Sequence, residues 1–201
     1  MNIAILKYNA GNVRSVQIAL ERLGIVATLT DDHEVLLSAD RIIFPGVGEA
    51  SSAMKYLQHR KLDQLLINLK QPVLGICLGM QLMCSFSEEN DTTCLGLFEE
   101  TVRKFKSTEA GEKIPQIGWN TIECLNSPLF NGIEEGAYCY FVHGYRADKG
   151  IHTIAETNYC GNYSSALQIR NFYGLQFHPE KSAAVGSKLI ENFINISSSW
   201  K

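Results

Sequence analysis

The first half of the chain alternates short apolar runs with stretches of helical period. "IAILKY" reads as a strand, and "GNVRSVQIALERLG" follows with Val13, Val16, Leu20 and Leu23 on one helical face and Gly24 as a stop. "IVATLT" predicts a second strand and "RIIFPG" a third, cut by Pro45. From Ser51 to about Leu69, the positions of Met54, Leu57, Leu62, Leu65 and Leu66 predict one helix. "PVLGIC" predicts a fourth strand, and "LGMQLMCSFS" opens another helix. Short β-branched strands between helices predict a parallel sheet covered on both faces.

The second half changes character. "GLFEETVRKF", "WNTIECL", "YCYFVHGYRA", "HTIAETNY", "SALQIR" and "FYGLQFH" are strand-like runs separated by polar or glycine-bearing turns. They predict antiparallel additions to the sheet or a small second layer. "GSKLIENFINI" is an amphipathic closing helix, and "SEENDTT", Ser87 to Thr93, is the expected mobile loop. With no repeat or linker, residues 1–201 read as one domain.

Composition narrows the classes. A chain of 201 residues with 45% hydrophobic content buries one core comfortably. A net charge of −3 leaves no basic excess for phosphates, so nucleic acid is not an expected partner, and no polybasic membrane anchor is present. The N-terminal apolar run is too short for a signal peptide or membrane span. The six cysteines are scattered, with no metal-ligand spacing, and read as free thiols of a cytoplasmic protein with no metal and no cofactor.

Three segments carry candidate chemistry. In "GICLGMQ", a strand ends in G-x-C-x-G and leads straight into a helix, the form of a nucleophile elbow with Cys77 in place of serine. A helix N-terminus there favours negative charge on the sulfur and offers free N–H groups. A small buried thiol is the other reading of Cys77, and the one that applies to Cys84. Among five histidines, His33, His59 and His152 read as solvated. His178 ends "GLQFH" and is pushed towards extended backbone by Pro179. Glu180, two residues on, then projects to the same side and can orient the imidazole; a surface His-Pro-Glu turn is the alternative. In "FPGVGEA", the glycines permit an N–H to turn towards an oxyanion beside the Leu78 N–H, or simply make a strand-to-helix turn.

Together these segments resemble the class I (triad) glutamine amidotransferases. "GNVRSV", "FPGVG", "PVLGICLGMQLM", "IPQIGWN", "YFVHGYRA" and "GLQFHPEKS" occur in the order seen in the glutaminase subunits of imidazole glycerol phosphate synthases, from about Gly11 to the C-terminus. The resemblance implies a three-layer, flavodoxin-like α/β fold. It implies that glutamine is hydrolysed to glutamate and ammonia, with Cys77 as nucleophile, His178 as base and acid, and Glu180 as its orienting partner. The oxyanion would be held by Leu78 and by the "PGVG" strand around Val47 and Gly48, a strand thought to reorient first. Gln81 would grip the substrate, and the backbone at His143, Gly144 and Tyr145 would receive its amino-acid end. The implied partner is a (β/α)8-barrel cyclase subunit in a heterodimer, with Asn12, Trp119, Tyr140 and Lys181 matching positions at or near the interface. Packing in the core is the other reading of Trp119 and Tyr140. A paralogue serving a different barrel synthase, or an elbow-cysteine peptidase or redox protein, are the alternatives. The chain departs from the usual pattern at Lys7, Asn9, Gln116, Ile117 and Gly144.

Overall fold

The computed structural model describes residues 1–8, 11–107 and 112–197; Asn9 lies outside them. Five strands form a parallel spine in the order β2 (Thr28–Thr30), β1 (Ile3–Leu6), β3 (Arg41–Phe44), β4 (Val73–Ile76) and β13 (Phe172–Leu175). Their side chains alternate between two cores. Leu6, Ile42 and Phe44 face one; Ile5, Ile43 and Leu74 face the other. A sheet buried on both faces needs apolar residues on both, which is why these strands read as continuous runs.

Helices supply the covers. α1 (Val13–Arg22) lays Val16 and Leu20 on one face, together with α6 (Ala183–Asn195), which buries Leu189, Ile190 and Phe193. The other face is covered by α2 (His33–Ser38), α3 (Ala50–His59), α4 (Leu62–Ile67) and α5 (Leu78–Met83). The single helix expected over 51–69 is therefore two. Lys61 adopts φ 56°, a left-handed conformation that ends α3 and starts α4. The short α2 was not legible: six residues carry too little period, although Asp32 caps it by accepting from the N–H groups of Glu34 and Val35.

The second half extends the sheet antiparallel through β12 (Asn162–Ile169), β10 (Tyr145–Ala147) and β7 (Thr101–Lys104), with β11 (Thr153–Asn158) beside β12. The segment expected to be a mobile loop is a hairpin. β5 (Phe86–Ser87) pairs with β6 (Thr92–Thr93) across a turn in which Asn90 and Asp91 both have positive φ. A separate ribbon of β8 (Gln116–Ile122) and β9 (Ala137–His143) stands off the main sheet. Its inner side chains, among them Cys139, Phe141 and His143, are buried, while Ile117, Trp119 and Tyr138 are exposed. Core packing is thus excluded for Trp119. His152, expected in solvent, is buried with its Nδ1 3.1 Å from the Glu100 carboxylate, since a carboxylate buried there needs a partner. All six cysteines are free. No helix among the described residues is long and apolar enough to cross a membrane.

Candidate active site

Cys77 sits in the joint between β4 and α5 with φ 51° and ψ −106°, a backbone conformation that costs about 1–3 kcal/mol for a residue with a side chain. Both flanking glycines are required by packing. A Cβ at Gly79 would collide with the Phe44 carbonyl of β3, and one at Gly75 would strike Met83 and the backbone of α5. α5 can therefore lie almost directly on the sheet, which forces the sharp turn at Cys77.

β13 runs parallel to β4 and delivers its end to the same place, with Cys77 N–H donating to the Leu175 carbonyl at 2.7 Å. His178 follows in extended backbone, as a residue before proline should be. Glu180 lies in the 3-10 turn Pro179–Lys181 rather than in an extended stretch, yet its Oε1 is 2.8 Å from His178 Nδ1. Both side chains are essentially without solvent contact. Asn12 joins them: at φ 70° it leads into α1, and its amide donates to the same Glu180 oxygen instead of capping the helix. Asn12 thus touches the acid of the trio directly.

Burial alone would lower the His178 pKa, but the interactions with Cys77 and Glu180 outweigh it and raise it to about 10. Both partners favour the charged imidazole. Its Nε2 is buried and makes no hydrogen bond among the described residues. It is the position from which a proton can pass to a group arriving at Cys77.

A small cavity of about 90 Å³ opens beside the sulfur. It is lined by Val47, Gly48, Cys77 and Leu78 on one side and by Gln81, His143, Gly144 and Tyr145 on the other, joined by Val142 and Glu89. The structure thus gathers every predicted oxyanion and substrate position around one space. Val142 and Glu89 were not anticipated; Glu89 comes from the hairpin read as a loop. Burial, with Glu49 nearby, pushes its carboxyl up, opposed by the Ala50 N–H that it accepts at 2.7 Å.

The oxyanion side is closed in this conformation. The Leu78 N–H donates to the Gly46 carbonyl at 3.3 Å. In a planar trans peptide the N–H opposes the C=O, so the Val47 N–H of that peptide faces away from Leu78. The Tyr145 carbonyl is also occupied, accepting from His143 Nδ1 at 2.6 Å and Gln81 Nε2 at 3.0 Å. His143 is held neutral: burial lowers its pKa to about 3 despite that bond.

Similarity to known proteins agrees with this geometry. The profile of the family described as "Glutamine amidotransferase class-I" matches residues 7–196. The chain belongs to the class-I glutamine amidotransferases. Within that family, it is 52% identical to the imidazole glycerol phosphate synthase subunit HisH of Bacteroides fragilis, over 98% of this chain and all of that one. It is 44% identical to the HisH of Vibrio cholerae, over 97% and 98% of the two chains. The solved structure of PurLQS from Thermotoga maritima shares the fold with a TM-score of 0.72 at 20% identity, covering 96% of this chain and 97% of that one. The departures common to this amidotransferase chain fall outside the trio. Gly144 has open space around it, since an added Cβ would meet only Pro115 at 3.9 Å. Ile117 lies on the exposed ribbon face, while Gln116 is buried and accepts from Tyr163.

Proposed function

We propose that the chain hydrolyses glutamine to glutamate and ammonia and passes the ammonia to a (β/α)8-barrel cyclase subunit, which forms imidazole glycerol phosphate and aminoimidazole carboxamide ribonucleotide in histidine biosynthesis. The observation that carries the reading is the convergence of Cys77, His178 and Glu180 beside a cavity lined by Gln81 and Glu89. Glu89 is the carboxylate of that lining and suits the α-ammonium of an amino acid, while Gln81 suits the polar backbone of the substrate.

Cys77 Sγ, as thiolate, attacks the side-chain carboxamide. The C–N bond breaks as His178 Nε2 gives its proton to the departing nitrogen, leaving a glutamyl thioester and ammonia. Water then adds to the thioester, its proton returns to Nε2, the C–S bond breaks, and glutamate leaves with the thiolate restored. Glu180 keeps the imidazole in place throughout. The tetrahedral oxyanion of each half needs the Leu78 N–H, at present bonded to Gly46. Turning the Gly46–Val47 peptide over removes that acceptor and puts the Val47 N–H in its place. Gly48, at φ 131°, supplies the backbone freedom beside it.

The cyclase docks on the outer face of the β8–β9 ribbon. Trp119 is 52% and Tyr138 60% exposed there, Trp119 packs edge-on against Tyr140, and Lys181 lies over the Tyr140 ring. Exposed aromatic side chains are enriched in interface cores, and a charged side chain beside them suits the polar rim. The inner side of the same ribbon reaches the chemistry, because the Val142 carbonyl is 4.0 Å from Cys77 Sγ.

The test is a glutaminase assay with and without the cyclase subunit and its ribulosyl-aminoimidazole nucleotide, beside Cys77→Ala. Low basal turnover, strong stimulation by partner plus nucleotide, and no turnover in the variant are expected. Undiminished glutamate release from Cys77→Ala would sink the mechanism. Full activity of the isolated subunit would remove the gating by the partner.

A further inference from the structure

Gln176 lies one residue past β13, in the apolar run Phe172–Phe177, and has no solvent exposure. A primary amide placed there must find its partners within the protein. Its Oε1 accepts from Gln81 Nε2 at 3.0 Å, and its Nε2 lies 3.7 Å from Cys77 Sγ. Gln81 Nε2 also donates to the Tyr145 carbonyl at 3.0 Å.

The direction of this relay is forced. The two ends of an amide have the same shape, so donor and acceptor follow from the network. The Tyr145 carbonyl can only accept, so the Gln81 atom facing it is nitrogen. That nitrogen also meets Gln176, so the facing Gln176 atom is oxygen. The end left over, on the sulfur, is the NH2 group. A main-chain carbonyl at the substrate cavity thus dictates that Cys77 receives a hydrogen bond.

We propose that Gln176 is a catalytic residue: its amide N–H holds Cys77 Sγ as the thiolate before attack and again when the sulfur leaves the thioester. The inference rests on Cys77 being the nucleophile of the glutaminase reaction. A donor aimed at the charged form of a group favours that form, and a thiolate accepts far better than a thiol. Gln176 is neutral and gives up no proton, so the proton balance of both steps stays with His178. The relay also ties the nucleophile to Gln81, so that one network sets the sulfur and the substrate grip together.

Two variants separate this from packing. Gln176→Met keeps the length and volume; Gln176→Glu keeps the acceptor for Gln81 but offers the sulfur an oxygen. In the two-subunit complex, kcat and KM for glutamine are measured. In the isolated chain, iodoacetamide labelling of Cys77 is followed across pH by mass mapping of its peptide. For Gln176→Met, both kcat and the neutral-pH labelling rate are expected to fall about 10- to 100-fold, the loss of one hydrogen bond to a charged group, with KM rising by less because Gln81 keeps its bond to the Tyr145 carbonyl. Gln176→Glu is expected to fall further. A folded Gln176→Met with normal labelling and normal kcat overturns the proposal. If Gln176→Met does not fold, Gln81→Met decides by labelling alone, since it frees the Gln176 amide to rotate: slower labelling supports the relay and an unchanged rate overturns it. Glutamate release by Cys77→Ala in the same complex would instead overturn the assignment of Cys77 as the nucleophile, on which the inference rests, whatever the Gln176 variants do.

Discussion

At the scale of single residues, two glycines of the site make opposite demands. Gly79 is fixed by the approach of α5 to β3, where any Cβ meets the Phe44 carbonyl. Gly79→Ala is expected to destabilise the fold by about 1–3 kcal/mol, read as a lower urea midpoint, and to lower activity as Cys77 shifts with its helix. Gly144 has free space on its side-chain side and no positive φ, so Gly144→Ser should leave the unfolding free energy from urea titration within about 0.5 kcal/mol of the parent. The same contrast explains what could be read in advance. The G-x-C-x-G spacing announced the elbow because sterics leave few other residues there. Gln176 announced nothing beyond being a polar residue in an apolar run. Its role depends on Gln81 and Tyr145, far away in sequence, and no local pattern encodes that meeting.

Secondary-structure elements transmit the consequences. The ribbon strand β9 is sewn to the base through Tyr140. Its carbonyl accepts the His178 N–H at 2.9 Å, and its N–H donates to Ser182 Oγ at 2.9 Å. The Ser182 hydroxyl in turn donates to the His178 carbonyl at 2.7 Å. Ser182→Ala leaves the Tyr140 N–H without its partner, while the His178 carbonyl keeps the Lys181 N–H at 3.0 Å, so a loss of about 1–3 kcal/mol is expected in chemical denaturation, with weaker stimulation by the cyclase. On the outer face, Trp119→Ala should leave the melting temperature unchanged and weaken cyclase binding by about 2 kcal/mol, roughly 30-fold in Kd by calorimetric titration. The spine strands and the long helices α1 and α6 were legible because burial on two faces, or on one stripe, leaves a period. The break at Lys61 was not, since it hinges on one left-handed residue of a type that rarely adopts that conformation, and at Asn90–Asp91 turn-forming residues mark a turn without showing that two-residue strands pair across it.

For the molecule as a whole, two buried histidines set opposite limits on pH. The His178 pKa is raised from 6.5 to about 10, so its stabilisation is complete below pH 6.5 and disappears as pH rises through 10. The His143 pKa is lowered from 6.5 to about 3, so its neutral burial stabilises above pH 6.5 and loses ground as pH falls towards 3. Urea midpoints measured across that range should therefore peak near neutrality. His143→Phe should flatten the acid limb and leave the alkaline limb in place; an unchanged acid limb would assign it to other groups. The parallel sheet covered on both faces was open to sequence reasoning, because buried strands alternate with amphipathic helices, whereas the three-layer plan and the roles of the trio came with the resemblance. The direction of the Gly46–Val47 peptide was not, as either orientation serves the same residues.

That one peptide has a consequence for the cell's nitrogen economy. Resting on the Leu78 N–H, the Gly46 carbonyl occupies the place where, in the proposed reaction, negative charge would develop. Glutamine alone gains nothing from displacing it unless it binds the open form better than the closed one. Reversing a 99:1 preference takes about 5.5 kcal/mol of such discrimination, more than a small metabolite in a tight pocket readily supplies, but within reach of a docked subunit. A chain left without its partner would then sit amid abundant glutamine without squandering it, and free ammonia would appear only where a second active site stands ready to consume it.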